Sequence, residues 1–420
     1  MINMIRNSKK KVLIVGSSAK EYALAKKFQS YEEIEEVIVA PGNDAIKEFC
    51  TCIDIREENV CELLEFAHEN AIDLTIASSE TAIKNDIAAI FHENEQMIFA
   101  PTAQSANIAV SKSSGKKFLY KLHIPTPKFG IFEKQQLAYD YIKNANFPIL
   151  IKTDENQEGK DRLACPNYTI AKMFLDDLYV RDEKKVLIED YIYGHDFTFY
   201  VITDGYHAIP LPEVATYKFA SDGNGGLLTN GVGCYTPDYK ISKDIENNIM
   251  KNVVSNVLAA LQKRETPYLG ILGIEFILKE DGKYMALEFK PFLQDHDIHA
   301  ILNLVDENLY NLFESCVIGS FADDCDEIKI SDNSSVSCVI MSSFNNKQIK
   351  GLDLIDEYDD IIPIGIKRNE NEEYYTANEK VLIITKTAKT LSYAKDRMYS
   401  DIDLIAYDGK KYRKDILAKH

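Results

Sequence analysis

No run of eighteen apolar residues occurs anywhere in the 420-residue chain, so a membrane-spanning helix is not expected. Residues 1–10 carry basic side chains but lack the apolar core of a secretory signal. The next apolar run, 12–15, has the length of a strand. Cysteine pairing is missing too. Of eight cysteines only Cys50 and Cys52 lie close together, and no second pair completes a zinc spacing. Free thiols in a reducing, cytoplasmic compartment are expected. Positive charge is scarce: 48 Lys and Arg face 66 Asp and Glu, a formal net charge of −18. That balance excludes nucleic acid as a main partner. A bound phosphate would need a local group of cations or backbone N–H groups inside an acidic envelope. There is no internal repeat and no low-complexity stretch. A chain of this length is expected to divide into two or three domains.

Over the first hundred residues, strand-like runs at 11–16, 36–40, 73–77 and 97–100 alternate with helical segments. Ser17 and Ser18 are placed to cap the first helix, which runs through Phe28. Such alternation implies an α/β unit with a parallel sheet, and ligands bind beyond the carboxyl ends of such strands. Those ends carry Gly16-Ser17-Ser18, Pro41-Gly42-Asn43, Ser78-Ser79-Glu80 and Pro101-Thr102. A single helix is expected over 102–122. A small α+β unit follows over 125–190, with strands at 148–153 and 185–191 and a helix at 170–180. The acidic stretch 323–335 reads as a linker, and a last unit holds strands at 338–341 and 381–385.

The residues between 270 and 290 form a hairpin pattern around Asp281-Gly282. With a two-residue loop, Glu275 faces Glu288, Ile274 faces Phe289, Phe276 faces Leu287 and Leu278 faces Met285. Two opposed glutamates repel each other and call for positive charge. Mg²⁺ beside a nucleotide phosphate is one answer. A solvated polar face with Lys279 and Lys290 as partners is the other. Asp295, His296, Asp297 and His299 read as a polar loop after this strand rather than a transition-metal site.

Several segments resemble one family over about 11–416. They are KVLIVGSSAKEYALA, VAPGN, PILIKTDENQEGK, VLIEDYIYGHDF, SDGNGGLLTNGVGCYTP and the closing KYRKDI. The family is the ATP-grasp ligases, and within them the glycinamide ribonucleotide synthetases. The glycine-rich segment carries the most specific match, through Asp222, Gly223, Gly226, Thr229, Gly231, Gly233, Tyr235 and Pro237.

The resemblance implies an α/β fold, α+β in part. A Rossmann-like parallel-sheet domain (1–108) precedes an ATP-grasp domain (109–328, lid 125–190), and a small α+β domain (329–420) follows. It implies ligation of glycine to 5-phosphoribosylamine in purine biosynthesis, with ATP and Mg²⁺ or Mn²⁺, by a monomer or weak homodimer. Lys112, Lys152 and Lys160 fall where phosphates are held, Glu189, Asp190 and Ile192 on the adenine hinge, and Asp196 at the ribose. Gly16, Pro41, Gly42, Asn43, Glu80 and Thr229 fall where the amine substrate binds. Lys218, Asp222, Gly231 and Asp295 fall on catalytic positions, and Glu275 and Glu288 on metal positions. The sequence departs from the family pattern at Lys290, where an Asn ligand is expected, at Phe292 in place of an Arg, and in the charged loop after Asp154. Those changes leave open a different acid or amine, or a non-catalytic nucleotide-binding relative.

Overall fold

The computed structural model describes residues 9–155, 161–183, 185–355 and 360–418. Five strands, β1 (Lys10–Gly16), β2 (Ile34–Pro41), β3 (Thr51–Cys52), β4 (Leu74–Ala77) and β5 (Ile98–Phe99), make a parallel sheet in the order β3-β2-β1-β4-β5. β1 is central because its run Val12–Val15 is buried on both faces. Its neighbours β2 and β4 leave on opposite sides, so the strand order reverses at β1 and opens a crevice at its carboxyl end. There Ser18 caps the helix Ala19–Gln29. Its side chain accepts from the Lys20 amide, and its own amide donates to the Glu21 carboxylate at 2.7 Å, closing a capping box. The two-residue β3 was not foreseen; its length gives no period to read.

The helix expected over 102–122 is two helices, Ala103–Val110 and Lys112–Lys121. Ser111 breaks them with extended backbone (φ −114°, ψ 110°) and caps the second. No Gly or Pro marks the break. Asp154 enforces it from a segment distant in sequence, by accepting from the Ser113 amide at 2.7 Å and the Ser111 hydroxyl at 3.1 Å. The break turns Lys112 inward.

A four-stranded antiparallel sheet follows: β6 (Phe129–Phe132), β7 (Ile149–Thr153), β8 (Arg162–Cys165) and β9 (Val186–Asp190), in the order β6-β9-β7-β8. A ten-stranded sheet faces it. Its first strands are β10 (His195–Asp204), β11 (Ala208–Pro210), β12 (Val214–Ser221), β13 (Gly225–Thr236), β14 (Leu269–Leu278), β15 (Tyr284–Lys290), β16 (Ser334–Ser342) and β17 (Ile361–Pro363). β18 (Ile366–Arg368) and β19 (Tyr374–Thr376) pair separately, while β20 (Lys380–Ala388) and β21 (Lys410–Lys411) complete the large sheet. β16 pairs with β13, so residues on both sides of 328/329 share one sheet.

The β14–β15 hairpin has a three-residue loop, not two. Lys279 and Lys283 close it, and Gly282 takes the left-handed φ of +77° that the third loop position needs. Phe276 therefore faces Ala286, and Leu278 faces Tyr284, correcting the expected partners Leu287 and Met285. A bulge at Leu287 then adds one residue to β15, and Glu275 faces Glu288 as expected.

The N-terminal sheet is tied to the rest by the helix Leu309–Ile318. Phe313 stacks on Phe99 with ring centroids 3.9 Å apart, and both side chains are fully buried. Phe313→Ala should cost about 3–5 kcal/mol of stability through the cavity it leaves. Urea unfolding measures this, and a loss below about 1 kcal/mol would show that the stack does not carry the junction.

Candidate functional site

Two groups of the expected residues form, and one segment touches both. The first lies at the carboxyl end of β1. Gly42 donates its amide to the Gly16 carbonyl at 3.1 Å, and the Asn43 side chain donates to the Ser17 carbonyl at 2.9 Å. Pro41 ends β2. Lys20 Nζ donates to the Ser78 carbonyl at 3.0 Å, just before Glu80 opens its own short helix. Asp295 arrives from the far side of the chain and accepts from the Ser18 hydroxyl at 2.7 Å and the Lys20 amide at 3.2 Å. Burial opposes the charge of Lys20, but Glu21, Asp295, Glu80 and Glu57 outweigh it and raise its pKa. Beside this group a cavity of about 570 Å³ runs from Pro41, Gly42, Asn43 and Lys47 to Pro363 and Ile366.

The second group is a buried lattice of charges between the two antiparallel sheets. Lys290 Nζ lies 3.0 Å from Glu275 Oε1 and 2.6 Å from Glu288 Oε1. Lys218 Nζ holds the other Glu275 oxygen at 2.8 Å and Asp196 at 3.1 Å. Lys152 Nζ lies 2.7 Å from Glu189 and 3.3 Å from Glu288 Oε2. Arg162 reaches Glu288 at 3.4 Å and Asp161 at 2.9 Å, and Lys112 meets Asp161 at 2.7 Å. Lys116 closes the lattice on Glu189 at 2.6 Å. Six cations against five carboxylates leave one positive charge in excess. All but the half-buried Asp196 are buried. Burial would raise the pKa of Glu275 and Glu288. The cations outweigh it: Lys218 and Lys290 hold Glu275 down, and Lys290, Lys152, Arg162 and Lys112 hold Glu288 well below the usual carboxylate range. For Lys112 burial prevails, aided by the nearby Arg162, and lowers its pKa to about 8 despite Asp161.

A narrow cleft of about 60 Å³ opens onto this lattice. Its lining combines the charged Lys152, Arg162, Lys218, Glu275, Asp190 and Asp196 with the apolar Leu150, Ile192, Leu228, Ile277 and Leu287. Glu189 lines the cleft as well, buried and held by Lys116 and Lys152. Lys160 lies outside the described residues.

The donor set at Glu275 and Glu288 does not suit the expected Mg²⁺. A hard dication needs several free oxygens at about 2.0–2.1 Å. Here all four carboxylate oxygens already meet an ammonium or guanidinium group. Among the described residues no group of three or more His, Cys, Asp or Glu is arranged to hold a metal ion.

The glycine loop is fixed by tertiary contacts. The Thr229 hydroxyl donates to the Lys218 carbonyl at 2.7 Å and accepts from the Gly231 amide at 3.0 Å. Gly231 has φ +140°, and a methyl group there would lie 2.2 Å from the His296 ring, so only glycine fits. Asp222 accepts from the Lys414 amide and Asp415 from the Gly223 amide, each at 2.8 Å. Arg413, fully buried, donates to the Phe219 carbonyl at 3.2 Å. Asp222 and Asp415 therefore tie residues 413–415 to the loop.

Sequence reasoning missed Arg162, Asp161, Lys116 and Arg413. Lys116 was detectable, being one turn beyond Lys112 on the same helical face. Arg413 stood in the closing motif with no role. Nothing local distinguishes Asp161 and Arg162 from the charged residues before them.

A small antiparallel sheet folded over a large one, with buried lysines and acids between them and a parallel-sheet domain in front, defines an ATP-grasp ligase. Residues 110–297 match the family model for the phosphoribosylglycinamide synthetase ATP-grasp (A) domain, and residues 10–109 match that for its N domain. The phosphoribosylamine–glycine ligase of Clostridium acetobutylicum is 30% identical over 418 residues, covering 97% of this chain and 99% of that protein. That of Lactococcus lactis is 29% identical over 411 residues, covering 97% and 98%. The crystal structure of phosphoribosylamine–glycine ligase from Thermotoga maritima superposes with a TM-score of 0.78 at 23% identity, covering 97% of this chain and all of that one. The chain belongs to the phosphoribosylamine–glycine ligase family.

Gly231→Ala should drive the His296 ring from its seat and lower stability by about 1–3 kcal/mol. A thermal unfolding midpoint within 1 °C of the parent would refute the packing argument.

Proposed function

We propose that the chain joins glycine to 5-phosphoribosylamine at the expense of ATP. The glycine carboxylate attacks the γ-phosphorus of ATP, giving glycyl phosphate and ADP. The amine of phosphoribosylamine then attacks the acyl carbon and expels inorganic phosphate. The nitrogen loses a proton, and an amide, glycinamide ribonucleotide, remains.

The observation that carries this reading is the charge lattice beside an apolar cleft. Phosphoryl transfer needs positioning and neutralised charge more than covalent help. Lys152, Arg162 and Lys218 line the cleft as fixed cations for a triphosphate, Lys112 joins them through the Asp161 it shares with Arg162, and the apolar lining suits a purine. Asp196, which lines the cleft and is half-buried, would accept from the ribose hydroxyls. Lys218, bridging Asp196 and Glu275, sets the polar floor on which the acyl phosphate forms. The loop 222–233 offers backbone N–H groups to the anionic intermediate. The crevice at Gly16, Pro41-Gly42-Asn43 and Glu80, with its cavity, would take the phosphoribosyl end. Thr229 and Gly231 lie between the two, with Asp295 joining the crevice. The four-stranded unit would exclude water from the acyl phosphate. Mg²⁺ or Mn²⁺ enters this reading only as the ion that accompanies the nucleotide.

Phosphate release from MgATP should require both glycine and freshly generated phosphoribosylamine. Glu288→Gln, which unbalances the lattice, should slow it at least about tenfold, the effect of some 1.4 kcal/mol on a barrier. Nucleotide binding without release would sink the substrate assignment.

Lys112 predicts a pH effect. With its pKa near 8 in the free protein, it loses its charge as the pH rises through 8. Nucleotide affinity should therefore fall above pH 8, by up to about tenfold per unit, as binding comes to require proton uptake. Lys112→Met should bind more weakly at pH 7 and show a flat profile to pH 9. Titration calorimetry with ADP at the two pH values checks this; a parent profile as flat as the variant's would exclude Lys112 from the phosphates.

A further inference from the structure

We propose that the Lys290 ammonium takes the place of a divalent cation between Glu275 and Glu288, so that this pair binds no metal ion and the chain uses only the ion its nucleotide carries. The inference rests on the ATP-using reading for the nucleotide alone, and not on the choice of acid and amine.

Three observations carry it. Lys290 Nζ sits between the two glutamates, 3.0 Å from one and 2.6 Å from the other, where a bridging cation would sit. The remaining oxygens are held by Lys218 and Lys152, so each of the four carboxylate oxygens has a cationic partner. A dication added here would meet an ammonium within contact distance, in a lattice that already carries one positive charge in excess. Like charges buried together repel strongly.

The lysine is also held in place. It is 3% exposed. Its partner across the strand pair is Gly273, where a Cβ would lie 3.0 Å from the Lys290 Cβ and 2.5 Å from the Tyr200 ring. The stem thus runs through a slot that exists because Gly273 has no side chain. Swinging out would leave two buried carboxylates facing each other across the hairpin with one cation fewer. A lysine suits the task as a compact point charge, but unlike a dication it cannot draw in phosphate oxygens as ligands.

The test counts metal on the full-length chain with Mn²⁺ as the probe and no nucleotide, by equilibrium dialysis and by the electron paramagnetic resonance of free Mn²⁺. The parent should bind no Mn²⁺ that Glu288→Gln abolishes. Lys290→Asn should gain one Mn²⁺ per chain, at least tenfold tighter than any parent binding, and Glu288→Gln in that background should remove it. Lys290→Gln repeats the test if the Asn variant does not fold. The second readout is turnover at fixed MgATP. The parent should saturate once the nucleotide is complexed, and Lys290→Asn should demand further free Mg²⁺. A parent that binds one Mn²⁺ lost in Glu288→Gln overturns the proposal. So does a folded Lys290 variant that gains none. The metal count needs neither glycine nor phosphoribosylamine, so its failure is separate from failure of the substrate assignment.

Discussion

Charges buried between two sheets must be balanced by one another, and in this chain that requirement shapes everything near the cleft. Glu288 is held at once by Lys290 from its own strand, Lys152 from β7 and Arg162 from β8. Those pairs are what join the four-stranded unit to the ten-stranded sheet at this point. Removing one member leaves an unpaired ion in a medium that solvates it poorly, at a cost of several kcal/mol. The arrangement contributes little to stability as a whole, since desolvation offsets most of the attraction. It does specify a single relative placement of the two sheets, and its residual positive charge favours an anion at the cleft.

The lattice depends on small backbone irregularities. The three-residue turn at 280–282 alone would set Glu275 beside Leu287. The bulge at Leu287 cancels the shift and returns both glutamates to one face. The break at Ser111 does the same for Lys112, which on an uninterrupted helix would follow a different bearing. Asp154 makes that break, and it directly follows β7, the strand that carries Lys152. Strand, helix start and lattice are thus placed by the same short segment.

The stretch from Glu288 to Asp295 links the two halves of the site. Its first residues belong to the lattice, and its last reaches the capped helix after β1. His296 fills the space beside Gly231, and Asp297 accepts from the buried Tyr200 hydroxyl at 2.7 Å. The polar loop expected here therefore acts as a spacer between the cleft at the charge lattice and the crevice at the end of β1. A reaction in which an acyl phosphate made on one side meets an amine held on the other needs such a spacer.

Local pattern was enough to determine the parallel sheet of the first hundred residues, the Ser18 cap and the family, whereas the Glu275–Glu288 pairing came out as expected only because the bulge at Leu287 cancels the longer turn. The first three rest on period, on cap chemistry or on motif strings that neighbouring residues carry together. Lys112, which in isolation reads as a surface lysine, is buried. That outcome, the pairing of Asp161 and Arg162 with distant partners, the clamps of Asp222 on Lys414 and of Asp415 on Gly223, and the seat of Lys290 between two acids were decided by tertiary structure. In each case a charge was placed by partners on other elements or across a hairpin, and whether an ammonium ends in water, on a phosphate or between two carboxylates depends on which strands converge around it.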